Sequence, residues 1–252
     1  MNDLLDLAIA AQGGMDRWRQ LRTLRVRFSA GGLLFAAKGQ RRALEDVQAL
    51  VDLTRPQTSL YPYPAPGRRG VFEPERVWVE SDRGELLDER QQPRAAFGRV
   101  RQRLWWDQLD VLYFAGYALW NYMSLPFLLA RPGFVLEEIE PWTEGDERWR
   151  RLQVTFPADV PTHSPRQVFH FDARGLLRRE DYTADIVTSR ARAAHYCFDH
   201  QAFSGLVMPT RRRVVPRRAD GRALAGPTLA WLQVHAVEAD TEPLKEKTDK
   251  AV

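Results

Sequence analysis

The sequence predicts a mainly β fold of the α+β kind, a curved antiparallel half-barrel whose concave face is covered by helices. Three observations carry this. Strand-like runs recur through the C-terminal half with short turn signals between them, as antiparallel neighbours require. Strands do not alternate with helical segments, which excludes a parallel nucleotide-binding sheet. Residues 111–130, VLYFAGYALWNYMSLPFLLA, carry no charge, and no other segment is apolar enough to cover the greasy face of an open sheet.

The elements follow in chain order. Leu4, Leu5, Ala8, Ile9 and Ala11 fall on helical spacing over 3–12, with Asn2 or Asp3 as N-cap and Gly13-Gly14 as the stop. Residues 15–21 add a short helical piece. Leu24, Val26 and Phe28 alternate with Arg25 and Arg27, which is a half-buried strand. Ala30-Gly31-Gly32 turns the chain, and 33–37 is expected to return as a strand. A weaker strand pattern covers 40–62. The run Tyr61 to Gly67, with three prolines, is a turn that no helix crosses. Val77 to Glu80, a turn at Asp82-Arg83-Gly84, and Leu86-Leu87 read as a hairpin. Helix is expected over 95–130. Strands then follow at 150–156, 167–172, 176–186, 192–198, 206–215 and 229–238. Residues 1–240 read as a single domain and 241–252 as a charged, disordered tail.

Composition bounds the class. The chain has 252 residues, 44% hydrophobic and 28% charged, which is globular and long enough for a large core. Arginine dominates the basic residues, 33 against 4 lysines, yet the net charge is only +4. The single cysteine, Cys197, excludes a disulfide framework and any all-cysteine metal site. The opening Met1-Asn2-Asp3 is acidic where a secretory signal is basic, so the expected location is cytoplasmic. Segment 111–130 has the length of a membrane span. Asn121, Ser124, Gly116, its tyrosines and Pro126 argue instead for a buried helix of about four turns, a break, and a second apolar piece.

The stretches AAQGGMDRWRQLRTLRVRF, WWDQLDVLYFAGYALWNYMSLPFLL and GLVMPTRRRVV resemble the lipoprotein-carrier superfamily of the LolA/LolB type and its uncharacterised bacterial relatives. The likeness runs over roughly residues 8–238. It implies an apolar ligand, such as an acyl chain, held between sheet and helices. The sequence departs from the carriers in its opening, which lacks an export signal, so the expectation is a retained cavity without the periplasmic ferrying role.

Candidate site residues come from four places. Trp106, Tyr113, Tyr117 and Trp120 are spaced by seven, four and three, one helical stripe that serves core packing and cavity wall alike. Tyr122, Phe127, Phe169 and Tyr196 complete the expected ligand-binding wall. His163 sits in a proline-flanked loop, Pro161-Thr162-His163-Ser164-Pro165, where a barrel mouth carries functional groups. If Tyr182 pairs with Tyr196, Asp181 and His195 become diagonal neighbours, and a carboxylate beside an imidazole makes a general acid–base. That face also carries Arg179, Thr183 and Asp185 and so reads as a solvated ion pair. The other face carries Phe169, Phe171, Tyr182 and Tyr196 and reads as buried.

Two further patterns carry less. His195, Cys197 and His200 have the look of a metal site, but strand parity splits them and no second pair stands at ligand spacing, so no metal and no cofactor is expected. The run Arg211-Arg212-Arg213 with Arg217-Arg218 is divided by strand alternation, so nucleic acid is not an expected partner. It remains a candidate contact for an anionic head group. Hydrolase, nucleotidase and dehydrogenase signatures are absent. The expected function is binding of an apolar small molecule or lipid. The alternative is a cofactor-free isomerase, cyclase or hydrolase using His163, Asp181, Tyr182 and His195.

Overall fold

The structure, a computed structural model, describes residues 2–97 and 100–241. The chain runs α1 (Asp3–Ala11), α2 (Met15–Gln20), β1 (Thr23–Gly31), α3 (Leu33–Ala37), β2 (Leu44–Asp52), β3 (Gln57–Tyr61), β4 (Arg68–Glu73), β5 (Arg76–Ser81) and β6 (Leu86–Gln91). Between the two runs of strands lie α4 (Pro93–Ala96), α5 (Val100–Leu104), α6 (Gln108–Ser124) and a 3-10 turn at Phe127–Ala130. There follow β7 (Val135–Glu144), β8 (Glu147–Thr155), β9 (Arg166–Phe171), β10 (Leu177–Thr183), β11 (Arg192–Phe203), β12 (Leu206–Pro216) and β13 (Ala230–Asp240). The expected tail lies outside the described residues, Thr241 excepted.

All 13 strands form one antiparallel sheet in the order β6-β5-β4-β3-β2-β1-β13-β12-β11-β10-β9-β8-β7. It is two meanders, β1 to β6 and β7 to β13, stitched together where β1 pairs with β13. The sheet does not close; β6 and β7 are its edges. Helix α6 packs across β2 to β5, and α1 reaches β8 and the 3-10 turn. The mainly β, helix-covered half-barrel read from the sequence is the architecture found.

Local chemistry explains the cover. Asn2 caps α1, its Oδ1 accepting from the N–H groups of Leu4 and Leu5 at 3.1 Å. Asp107 and Asp110 cap α6 reciprocally, each carboxylate accepting the other's N–H. Arg90 and Arg101 bind both carboxylates at 2.6–3.0 Å, so the buried Asp110 is fully paired. Nearly all of α6 is buried, which is why it is apolar on every side. Gly116 lets α6 lie against the sheet: a Cβ there would stand 2.4 Å from Phe72, and Thr58 donates to the Gly116 carbonyl at 3.1 Å. Among the described residues no helix is long and apolar enough to cross a membrane.

Two expectations need correction, and two strands carried no expectation. Residues 33–37 form helix α3, not a strand. The first N–H groups of that turn, on Leu33 and Leu34, donate to the carbonyls of Thr228 and Leu229, and those bonds start a helix. Trp106 lies ahead of α6, its indole donating to the Gln102 carbonyl at 3.0 Å. Strands β4 and β7 had no clear sequence signal: β4 buries Gly70, Val71 and Phe72 in succession, with no alternation to read, and β7 is a glutamate-rich, largely exposed edge.

Candidate ligand-binding site

A narrow apolar cavity of about 50 Å³ lies between the sheet and the α3/α6 layer. It crosses five neighbouring strands. Phe28 and Ala30 of β1, Leu44 of β2 and Leu232 of β13 form its apolar end, with Phe35 of α3 above. Trp231, 41% exposed, lies over Gly31 and brings this end to the surface. Helix α6 contributes Phe114, Ala115, Ala118, Leu119 and Tyr122. The other end is polar, formed by His195 of β11 and Arg212 of β12.

Behind that polar end sits a buried hub. His163 places Nδ1 2.8 Å from the Tyr117 hydroxyl and Nε2 2.9 Å from the Tyr122 hydroxyl, and its ring stacks on Tyr182 at 4.5 Å. Burial, with Arg94 adding to it, pushes His163 down to about 3, so the imidazole is neutral. A neutral ring has one donor and one acceptor nitrogen, so one tyrosine donates to it and the other accepts. Next to it, His195 packs edge-on against Tyr122 at 4.9 Å and is also driven well below its ordinary range by burial. Glu180 faces His195, its Oε2 3.6 Å from Nδ1. Burial pushes Glu180 up to about 7 although Arg212 pulls the other way. The Arg212 guanidinium lies 4.5 Å from the centre of the Tyr122 ring.

Comparison with known proteins bears on the fold. No protein-family model matches the sequence, and no curated protein matches it. Among solved structures, a LolA superfamily protein from Nitrosomonas europaea aligns over 96% of this chain and 94% of its own, with a TM-score of 0.54 and 11% identity. A DUF1329 family protein from Desulfovibrio piger aligns over 94% and 92%, with a TM-score of 0.51 and 12% identity. A domain assigned to outer-membrane lipoprotein sorting, from Vibrio parahaemolyticus, aligns over 95% and 94% at 0.50 and 9%. The fold is that of the LolA superfamily.

On this LolA-like sheet the expected site residues separate. Tyr122 lines the cavity. Tyr113 and Trp120 turn toward the β2–β5 side, Tyr113 against Phe72 and Trp120 donating to the Asp52 carbonyl at 2.8 Å. Tyr117 serves the His163 hub, and Trp106 packs on Phe35, Phe97 and Phe114. The cavity takes the neighbouring stripe of α6 instead, Ala115, Ala118, Leu119 and Tyr122. Phe127 stacks on Trp18 at 4.5 Å, and Phe169 packs against Phe156 in the core.

The expected register of β10 and β11 is also corrected. Tyr182 pairs with Ala193, and Glu180 with His195. His195 therefore shares the helix-covered face with Tyr182, whereas Asp181 and Tyr196 lie on the opposite face. That outer face is not solvated as expected. Asp181 accepts from the fully buried Arg179 at 2.7 and 3.0 Å, Glu144 joins Arg179 at 3.0 Å, and Tyr196 donates to Glu144 at 2.6 Å. Trp142 and the backbone at Gly221 cover the cluster. His170 stands 3.9 Å from Asp181, and burial holds it at about 3. The residue missed was Glu180, whose charge gave no sign of facing inward; Arg212 was read only as part of an arginine run, a candidate contact for an anionic head group, that strand alternation divides between two faces.

Proposed function

We propose that this protein binds an elongated apolar molecule of the acyl-chain type between its sheet and the α3/α6 layer. The cavity itself carries the reading. Its lining is apolar except at His195 and Arg212 and is drawn from five neighbouring strands, β2 to β11, whose backbones span about 19 Å at the usual strand spacing. A lining spread over that many strands suits an extended chain better than a compact metabolite. At about 50 Å³ it is smaller than the roughly 150 Å³ that holds a benzene ring, so loading widens it. Helix α3 is the wall suited to move, being five residues long with Leu33 half exposed. The fold shared with a LolA superfamily protein and with a lipoprotein-sorting domain supports an apolar cargo.

The enzymatic alternative has less support. Its four residues do not converge, since Asp181 lies across the sheet from His163, Tyr182 and His195. Both nitrogens of His163 are engaged by tyrosine hydroxyls.

Native mass spectrometry of protein purified from its own host tests the binding reading. A co-purifying lipid-like mass is expected, lost on Ala118→Trp, which fills the cavity. Delipidated protein is also expected to take up a fluorescent polyene fatty acid or its methyl ester. Absence of both a bound mass and uptake of either probe would overturn the reading.

A further inference from the structure

The polar end of the cavity holds a guanidinium that has no carboxylate in direct ion-pair contact among the described residues, Glu180 acting on it only from further off. Arg212 is 2% exposed, yet it has no carboxylate partner among the described residues, and its Nε has no hydrogen-bond partner. Its remaining contacts are weak: Nη1 to the Cys197 sulfur at 3.3 Å and Nη2 to the Tyr122 carbonyl at 3.4 Å. Arg179, the other buried arginine, shows the usual solution, with Asp181 and Glu144 both on it. A buried charge lacking such partners is costly, and a fold that keeps one has a use for it. His195, beside it on the cavity wall, also has both ring nitrogens unpartnered.

We propose that the cargo is an acidic amphiphile, an apolar chain ending in a carboxylate, and that Arg212 receives the carboxylate with the N–H of His195 beside it. This rests on the binding reading above and adds the chemistry of the head group. A forked guanidinium matches a carboxylate in shape and charge. The Tyr122 ring fixes its plane. One cation and one neutral imidazole balance a single negative charge, whereas a doubly charged phosphate would leave charge buried. Glu180, on the same face, is the internal competitor, and its raised affinity for a proton lets it yield to an incoming anion. The apolar end, toward Trp231 and Phe35, takes the chain.

The test compares a polyene fatty acid with its own methyl ester by fluorescence titration of delipidated protein. The acid is expected to bind at least about tenfold tighter, the scale of a charge-assisted hydrogen bond. Arg212→Met is expected to erase that preference, so that acid and ester then bind alike. If Arg212→Met does not fold, Arg212→Lys, which keeps the charge but not the fork, is expected to reduce the preference. The preference is also expected to persist at high salt, because screening acts on exposed arginines and little on a buried one. Equal binding of acid and ester by the unaltered protein would overturn the head-group assignment and leave chain binding standing. So would a preference that survives Arg212→Met or disappears with salt. Binding of neither probe would overturn both.

Discussion

Glu180 and His195 face each other across β10 and β11, a carboxylate oxygen 3.6 Å from the imidazole Nδ1, on the helix-covered side of the sheet. Both are fully enclosed. Burial raises the acid to about 7 and lowers the histidine, so near neutral pH each side of the pair tends toward its uncharged form. Tyr122, Tyr182, Cys197 and Arg212 share this face, and Asp181 lies just across the sheet.

This gives a pH dependence with a definite sign. The folded pKa of Glu180 lies above its ordinary value of 4.5, so the folded state holds the extra proton. Its effect on stability is nil below about 4.5, and stability then falls as pH rises through about 7. Glu180→Gln is therefore expected to match the unaltered protein near pH 4.5 and to exceed it above pH 7 by at most about 3 kcal/mol. The buried histidines act the other way. His163, held at about 3, favours folding above its ordinary 6.5, an advantage lost as pH falls toward 3. Urea unfolding of both proteins across pH 4.5–8 separates these, since the histidine contribution cancels in the difference. A flat difference would refute the burial of an unpaired acid.

Removing one hydroxyl from the His163 hub is expected to cost stability. Tyr122→Phe leaves Nε2 of a buried imidazole without a partner, worth about 1–3 kcal/mol. A double-mutant cycle with His163→Phe checks it, because the coupling disappears once both polar partners are gone.

Gly116→Ala is expected to destabilise by about 1–3 kcal/mol, since the new methyl would stand 2.4 Å from Phe72. Phe72→Ala removes Cγ, one of the two atoms the methyl would meet at 2.4 Å, so the double variant is expected to lose less than the sum of the two single losses. Thermal melts of the single and double variants decide whether α6 and β4 meet this closely.

Trp120 and Ala118 lie on the same helix but are expected to behave differently. Trp120→Ala removes a buried indole that donates to Asp52 of β2, and the expected cost is about 3–5 kcal/mol of stability. In protein that remains folded, probe affinity should change little. Ala118→Trp, which more than fills the cavity, is expected to abolish probe uptake at an overpacking cost of about 1–3 kcal/mol. Paired unfolding and titration measurements on the two variants distinguish sheet-facing from cavity-facing positions.

Much of the fold was legible because its strongest signals are local. The uncharged run 111–130 and Pro126 near its end placed a buried helix there without any knowledge of the sheet, although the Asp107–Asp110 cap that starts it was not read. The C-terminal meander was similarly legible from its turns. The site was not, because which way a strand residue points depends on register. A shift between Leu177 and Arg179 where β10 meets β9, and turn lengths that no local pattern fixes, replace the expected Asp181–His195 pair with Glu180–His195 inside and Asp181–His170 outside. The α6 stripe failed for a related reason. The Tyr and Trp positions mark an aromatic surface, but on a helix buried all round, alanines at 115 and 118 are what leave space. Five apolar residues at 33–37 are too few for any periodicity to separate helix from strand.

Because β6 and β7 never meet, the curvature of this sheet is not fixed by a closed ring of hydrogen bonds. A closed barrel has a set circumference, and enlarging its interior means breaking a seam of strand pairing. Here the two meanders can swing apart about the β1–β13 junction, like covers about a spine, with each ladder intact. The cavity crosses that junction, so under the proposed binding function a change in the bend of the sheet is what would widen it for cargo of greater girth, with no ladder unravelled.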